Sequence, residues 1–78
     1  MHYVYLLKLN NNSYYTGSTS DLKTRIKEHE NGEVISTAGH RPIALIFYSA
    51  FDTKQKAITF EKYLKTGSGQ AFRNKRLI

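Results

Sequence analysis

Five side chains in this sequence are of the kinds that hold a phosphate and move a proton: Tyr5, Tyr15, Arg25, His29 and Glu61. Arg25 and His29 stand four residues apart, so a helix would carry them one turn apart on one side. A guanidinium offers a planar fork that suits phosphate, and an imidazole exchanges a proton near neutral pH. The plainer alternative is a surface pair of Asp21 with Arg25 beside a half-buried histidine. Glu61 is the only acid in the last third of the chain, and it lies in an apolar stripe one turn after Ala57. A carboxylate at such a place is rarely without a partner. That partner is either a cation among Lys62, Lys65 and Arg25 or a hard metal. Mg²⁺ takes one or two carboxylates and completes its shell with water and substrate phosphate.

The elements that must position these groups can be read from patterning. Residues 3–9 are β-branched, aromatic and apolar, which predicts a strand. Asn10-Asn11-Asn12 is a turn, because asparagine tolerates positive φ, and residues 13–17 return as a second strand. A three-residue loop pairs Leu9 with Ser13, Leu7 with Tyr15 and Tyr5 with Gly17. Tyr5 and Tyr15 then share a face as diagonal neighbours, roughly 7–8 Å apart. Gly17, lacking a Cβ, leaves space beside Tyr5 for a backbone or a ligand. Ser18-Thr19-Ser20-Asp21 offers several N-caps for a helix over about 21–30, ended by Asn31-Gly32. A polar loop over 31–42 follows.

Residues 43–51 are almost continuously apolar, which predicts a central strand covered on both faces. Asp52 and Gln55 have capping-box spacing for a helix over about 53–65, with Ala57, Phe60 and Leu64 inward. Thr66-Gly67-Ser68-Gly69 breaks the chain, and a basic helix over about 69–76 anchors through Phe72. The order ββαβαα predicts one α+β domain over 1–78, a mostly antiparallel three-stranded sheet with flanking helices.

Composition narrows the function classes. With 78 residues and no cysteine, disulfides and a cysteine-based zinc site are excluded, and His2, His29 and His40 are too scattered to replace it. No apolar run approaches the roughly 18–20 residues of a membrane span, and Lys8 interrupts any signal-like start, so a cytoplasmic location is expected. Net charge is +6. Residues 1–52 carry five bases and five acids, whereas residues 53–78 carry seven bases against Glu61 alone. Such one-sided charge points to nucleic acid or another polyanion. Lys54, Lys56, Lys65, Arg73, Asn74, Lys75 and Arg76, with Gly17 at the start of the first helix, are the candidate contacts. A solvated helical face is the bland alternative.

The ordered set Tyr3-Val4-Tyr5, Tyr15-Thr16-Gly17, Arg25, His29 and Glu61 resembles the GIY-YIG nuclease superfamily over nearly the whole chain. It looks like the small stand-alone bacterial members and is similar to the N-terminal nuclease domain of the nucleotide-excision-repair nuclease. The resemblance implies a metal-dependent endonuclease that hydrolyses phosphodiester bonds in DNA, with RNA left open, and a place in DNA repair. It implies Tyr5 and Tyr15 as the motif tyrosines, Arg25 as the phosphate-binding arginine and His29 where a tyrosine often stands. Glu61 would be the single ligand to Mg²⁺ or Mn²⁺, and Asn74 a late polar residue of the site. Ser18 departs from the lysine that repair nucleases tend to have after the glycine, leaving Lys8 or His29 to act on a tyrosine. A non-catalytic nucleic-acid-binding module of the same fold is the competing reading. Targeting would come from DNA structure, a protein partner or a dimer.

Overall fold

The apolar first strand becomes the middle of the sheet. The computed structural model describes all residues, Met1–Ile78. Strand β1 (His2–Lys8) pairs antiparallel with β2 (Tyr14–Thr19) on one side and with β3 (Ala44–Phe51) on the other. The sheet order is therefore β2-β1-β3. Val4, Tyr5, Leu6 and Leu7 are all at most 1% exposed. The hairpin register is the expected one, with Tyr5 opposite Gly17 and Leu7 opposite Tyr15. Asn12 makes the turn at φ 66°, and the Leu9 amide donates to Ser13 O at 2.9 Å.

Helix α1 (Leu22–Glu30) starts at Asp21, whose carboxylate accepts from the Thr24 amide at 3.2 Å. It covers one face of the sheet, where Leu22 and Ile26 meet Tyr5, Leu7, Leu9 and Tyr15. The segment that follows holds a short helix, α2 (Ile35–Ala38). Helix α3 (Lys54–Leu64) covers the other face: Ala57 and Leu64 enclose Val4, with Phe51, Phe60 and Leu77 around them. Helix α4 (Gly67–Arg76) follows after a short break and begins at Thr66, whose hydroxyl accepts from Gly69 N. No helix is long and apolar enough to cross a membrane.

Four expectations from sequence are corrected. The segment over 31–42 is not simply a polar loop, because α2 lies within it and turns Thr37 fully inward beneath Val34. Strand β3 is an edge, not the centre: Leu45, Ile46 and Tyr48 are 39%, 37% and 55% exposed. An apolar run measures hydrophobicity, and it does not say which strand takes the middle. The cap of α3 is Thr53, which accepts from Lys56 N, while Asp52 pairs with Lys56 at 3.1 Å instead of forming a box with Gln55. Finally, α4 is not anchored by Phe72, which remains partly exposed against Tyr63. Gly69 does the anchoring. A Cβ there would collide with the Tyr63 carbonyl oxygen, so only glycine lets α4 rest on the end of α3.

Candidate active site

The Tyr5 phenol is the centre of the polar groups. Its ring lies across Gly17, where an added Cβ would collide with the phenol oxygen. The space expected to receive a ligand beside Gly17 is thus filled by the tyrosine itself. The hydroxyl meets His29 Nε2 at 2.9 Å. His29 is completely buried and packs edge-on against both tyrosines, with ring centroids 5.5 Å from Tyr5 and 5.2 Å from Tyr15. The two tyrosine rings are 6.4 Å apart.

The other imidazole nitrogen, Nδ1, meets Thr37 Oγ1 at 2.7 Å. The Thr37 hydroxyl itself donates to Val34 O at 3.4 Å. That direction makes Nδ1–H the donor to Thr37 and leaves the Nε2 lone pair to accept from Tyr5, an assignment taken from the network. Burial, and next the charge of Arg25, hold His29 below its ordinary pKa against a smaller opposing pull from Glu28. The ring is therefore neutral at pH 7 and able to take a proton. Burial pushes the Tyr5 phenol up, Arg25 draws it down, and the charge of Glu61 adds to the rise. A phenol so placed stays protonated and hydrogen-bonded to the imidazole.

Arg25 projects from α1, one turn before His29. It donates to Glu28 at 3.0 Å and is about one-third exposed. The expected alternative pair with Asp21 does not form, because Asp21 is occupied in capping Thr24. The Glu28 hydrogen bond first, then the nearness of the Tyr5 phenol, raises Arg25 further above its ordinary range. It faces the Tyr5 hydroxyl as a fixed cation.

Glu61 comes from α3, with its side chain only 18% exposed. Ser18 Oγ donates to Oε1 at 2.7 Å, and Lys65 Nζ donates to Oε2 at 2.9 Å. Burial pushes its carboxyl up. The Ser18 hydrogen bond, the Lys65 bond and charge, and the charge of His2 together outweigh that and hold it below the usual range. Glu61 is thus a carboxylate in the folded protein. Of the cation partners considered in sequence, Lys65 is the one. No cluster of three or more acidic, histidine or cysteine side chains exists to cage a metal. The donor set fits a one-carboxylate site for a hard cation completed by water and phosphate. Each carboxylate oxygen keeps a lone pair beyond its hydrogen bond.

The structure brings Tyr5, Tyr15, Arg25 and His29 together, with Glu61 near enough for its charge to act on Tyr5. It does not bring Asn74 to them. Asn74 Oδ1 accepts from Arg73 Nε and Nη2 at 3.1 and 3.0 Å. Among the basic candidates, Lys56 and Lys65 are in ion pairs and Arg73 lies over the Tyr14 ring at 5.0 Å. Lys54, Lys75 and Arg76 form no ion pair, and Lys8 has no part in the cluster. Sequence reasoning missed two supporting residues, Glu28 and Thr37, and the bond that Ser18 makes to Glu61. Glu28, three residues after Arg25, was readable as a helical neighbour. Ser18 and Thr37 carried no local signal, because their partners are 43 and 8 residues away.

A three-stranded α+β domain with paired strand tyrosines, a helical arginine and one carboxylate from the opposite layer gathers its polar groups around Tyr5. The chain belongs to the GIY-YIG catalytic domain family, whose sequence model matches residues 1–76. Among its relatives, a UPF0213 protein of Staphylococcus saprophyticus is 40% identical over 70 residues, covering 88% of this chain and 85% of its own. The UPF0213 protein YazA of Bacillus subtilis is 42% identical over 65 residues, 82% of this chain and 66% of its own. The solution NMR structure of a UPF0213 protein from Bacillus halodurans, 36% identical, superposes with a TM-score of 0.61 over 95% of this chain and 80% of that one.

Proposed function

We propose that the protein is a divalent-metal-dependent endonuclease that hydrolyses phosphodiester bonds in DNA. The observation that carries this reading is the 2.9 Å contact between the Tyr5 hydroxyl and a buried, neutral His29. A free phenol is a poor base at pH 7. Here the Tyr5 oxygen takes a proton from the attacking water as its own proton passes to His29 Nε2. The imidazolium so formed keeps its Nδ1–H on Thr37. Arg25 binds the phosphate and offsets charge that develops on it. Tyr15 flanks the imidazole and holds its plane. Glu61 would hold one Mg²⁺ or Mn²⁺, which neutralises charge on the phosphoryl oxygen. The family match supports nuclease chemistry, and the basic last third supports nucleic acid as substrate.

One observation favours a second reading, a DNA-binding module without catalysis. Lys65 sits on Glu61 Oε2, where a cation would bind, and Ser18 replaces the lysine of the repair nucleases. Glu61→Gln compared with wild type separates the two. Glutamine keeps an oxygen for Ser18 and loses the charge that binds metal. The ion pair with Lys65, whose ammonium is exposed, contributes little after screening. The nuclease reading expects a variant melting within a few degrees of wild type that binds DNA and does not cut it. A wild type that cuts no DNA structure with Mg²⁺ or Mn²⁺ establishes the binding module instead.

A further inference from the structure

A cleft of about 260 Å³ opens between β2 and α4, beside the residues of the chemistry above. Tyr14, Tyr15, Thr16, Lys65, Gln70 and Arg73 line it, with buried Leu64 at its floor. Three features set it apart from an ordinary surface dent. No acidic side chain lines it, although two cations do. Its aromatic wall is already stacked: Arg73 lies over the Tyr14 ring at 5.0 Å. Its polar atoms are largely unpaired. The hydroxyls of Tyr14, Tyr15 and Thr16 form no side-chain hydrogen bond. Arg73 uses only Nε and Nη2, on the neutral Asn74 next to it. Gln70 uses only its amide nitrogen, on Lys65 O at 3.4 Å.

A ring, a guanidinium plane and flanking cations are the elements on which an unstacked base and its phosphate are held. A free side-chain amide can read a base edge. A base inside a duplex cannot reach such a cleft, because both of its faces are occupied by its neighbours. The cleft also adjoins the candidate active site through two of its own residues. Tyr15 packs on His29, and Lys65 holds Glu61. Tyr15, on the edge strand β2, thus lines the cleft while its ring packs against His29.

We infer that this cleft binds one unpaired nucleotide adjoining the phosphodiester that is cut. The substrate class is then DNA with a bulge, flap or loop, not continuous duplex. The position of the cut rests on the nuclease reading, whereas the preference for an unpaired base does not. Arg73 and Tyr14 are the stacking platform, and Gln70 meets the base edge.

The test measures binding in EDTA, where cleavage plays no part. Two duplexes of equal length are compared: one fully paired, one with a single unpaired 2-aminopurine. The expected result is tighter binding of the bulged duplex, by roughly tenfold or more, the scale of stacking one base on a side chain. Binding should quench the 2-aminopurine emission. Tyr14→Ala and Arg73→Ala should each remove most of the preference while the affinity for paired duplex falls less. Arg73→Lys, which keeps charge and is the variant least able to disturb the fold, should retain the salt dependence and lose the quenching. Equal affinities for the two duplexes overturn the inference, as does undiminished quenching in Arg73→Lys and Tyr14→Ala. A protein that cuts paired duplex without preference would sink this inference and keep the nuclease. A protein that prefers the bulge and never cuts would do the opposite.

Discussion

The Tyr5 hydroxyl holds two roles, and that makes the tyrosines separable. It is the only partner of buried His29 Nε2, so Tyr5→Phe leaves a buried nitrogen unpaired at a cost of about 1–3 kcal/mol. Tyr5→Phe should therefore melt below wild type. Tyr15 has no such bond, so Tyr15→Phe should melt like wild type. Cleavage should fall by about 10²-fold or more in Tyr5→Phe, the usual scale for acid–base help, and by less in Tyr15→Phe. A Tyr15→Phe protein that loses more activity than Tyr5→Phe would move the proton path to Tyr15. His29 adds a pH dependence with a defined sign. Its folded pKa is depressed from about 6.5. The unfolded chain therefore binds a proton that the folded chain refuses. The contribution of His29 is complete above about pH 6.5 and is lost as pH falls through its lower folded value. Urea midpoints should drop between pH 7.5 and pH 5 as the His29 ring signals in NMR remain those of neutral imidazole below pH 6.5. A ring that titrates with an ordinary histidine pKa would contradict both.

At the scale of elements, two close approaches decide where side chains point. Gly17 lets the Tyr5 ring cross β2, and Gly69 lets α4 rest on the C-terminal end of α3. The second is the stricter, since the neighbour there is a backbone oxygen that cannot turn aside. Gly69→Ala should cost at least the roughly 1–3 kcal/mol typical of overpacking. It should also pull Arg73 off Tyr14, weakening DNA binding with β1, β2 and α1 undisturbed in NMR spectra. A Gly69→Ala protein with unchanged melting would mean that α4 is not held where the structure has it. Helix α2 belongs to the same argument. It is only four residues long, yet it delivers Thr37 to His29 and so sets the imidazole tautomer.

For the whole molecule, charge is segregated but not uniformly free. The excess of bases lies in 53–78, on α3 and α4, while Lys56 and Lys65 are already neutralised by Asp52 and Glu61. Replacing Lys54 and Arg73 with glutamine should flatten the plot of log affinity against log salt by about 0.9 per lost phosphate contact. Lys56→Gln should flatten it less. Equal effects from all three would mean that the ion pair with Asp52 opens on binding.

Local pattern was enough for what depends on nearest neighbours along the chain. The hairpin register followed from a three-residue asparagine turn, and with it the pairing of Tyr5 with Gly17. The one-turn spacing of Arg25 and His29 followed from helix geometry, and the cation beside Glu61 was among those one turn away. What the sequence could not settle were choices among equivalent partners. Strands β1 and β3 are both apolar runs, and only the packing of α1 and α3 on opposite faces makes β1 the centre. Asp21 and Glu28 are both within reach of Arg25, and capping takes the first and leaves the second. Ser18 on Glu61, and Thr37 on His29, arise from segments that meet only when the sheet and its two helical layers close. Hydrogen bonds between such segments are fixed by three-dimensional distance, which no spacing along the chain encodes.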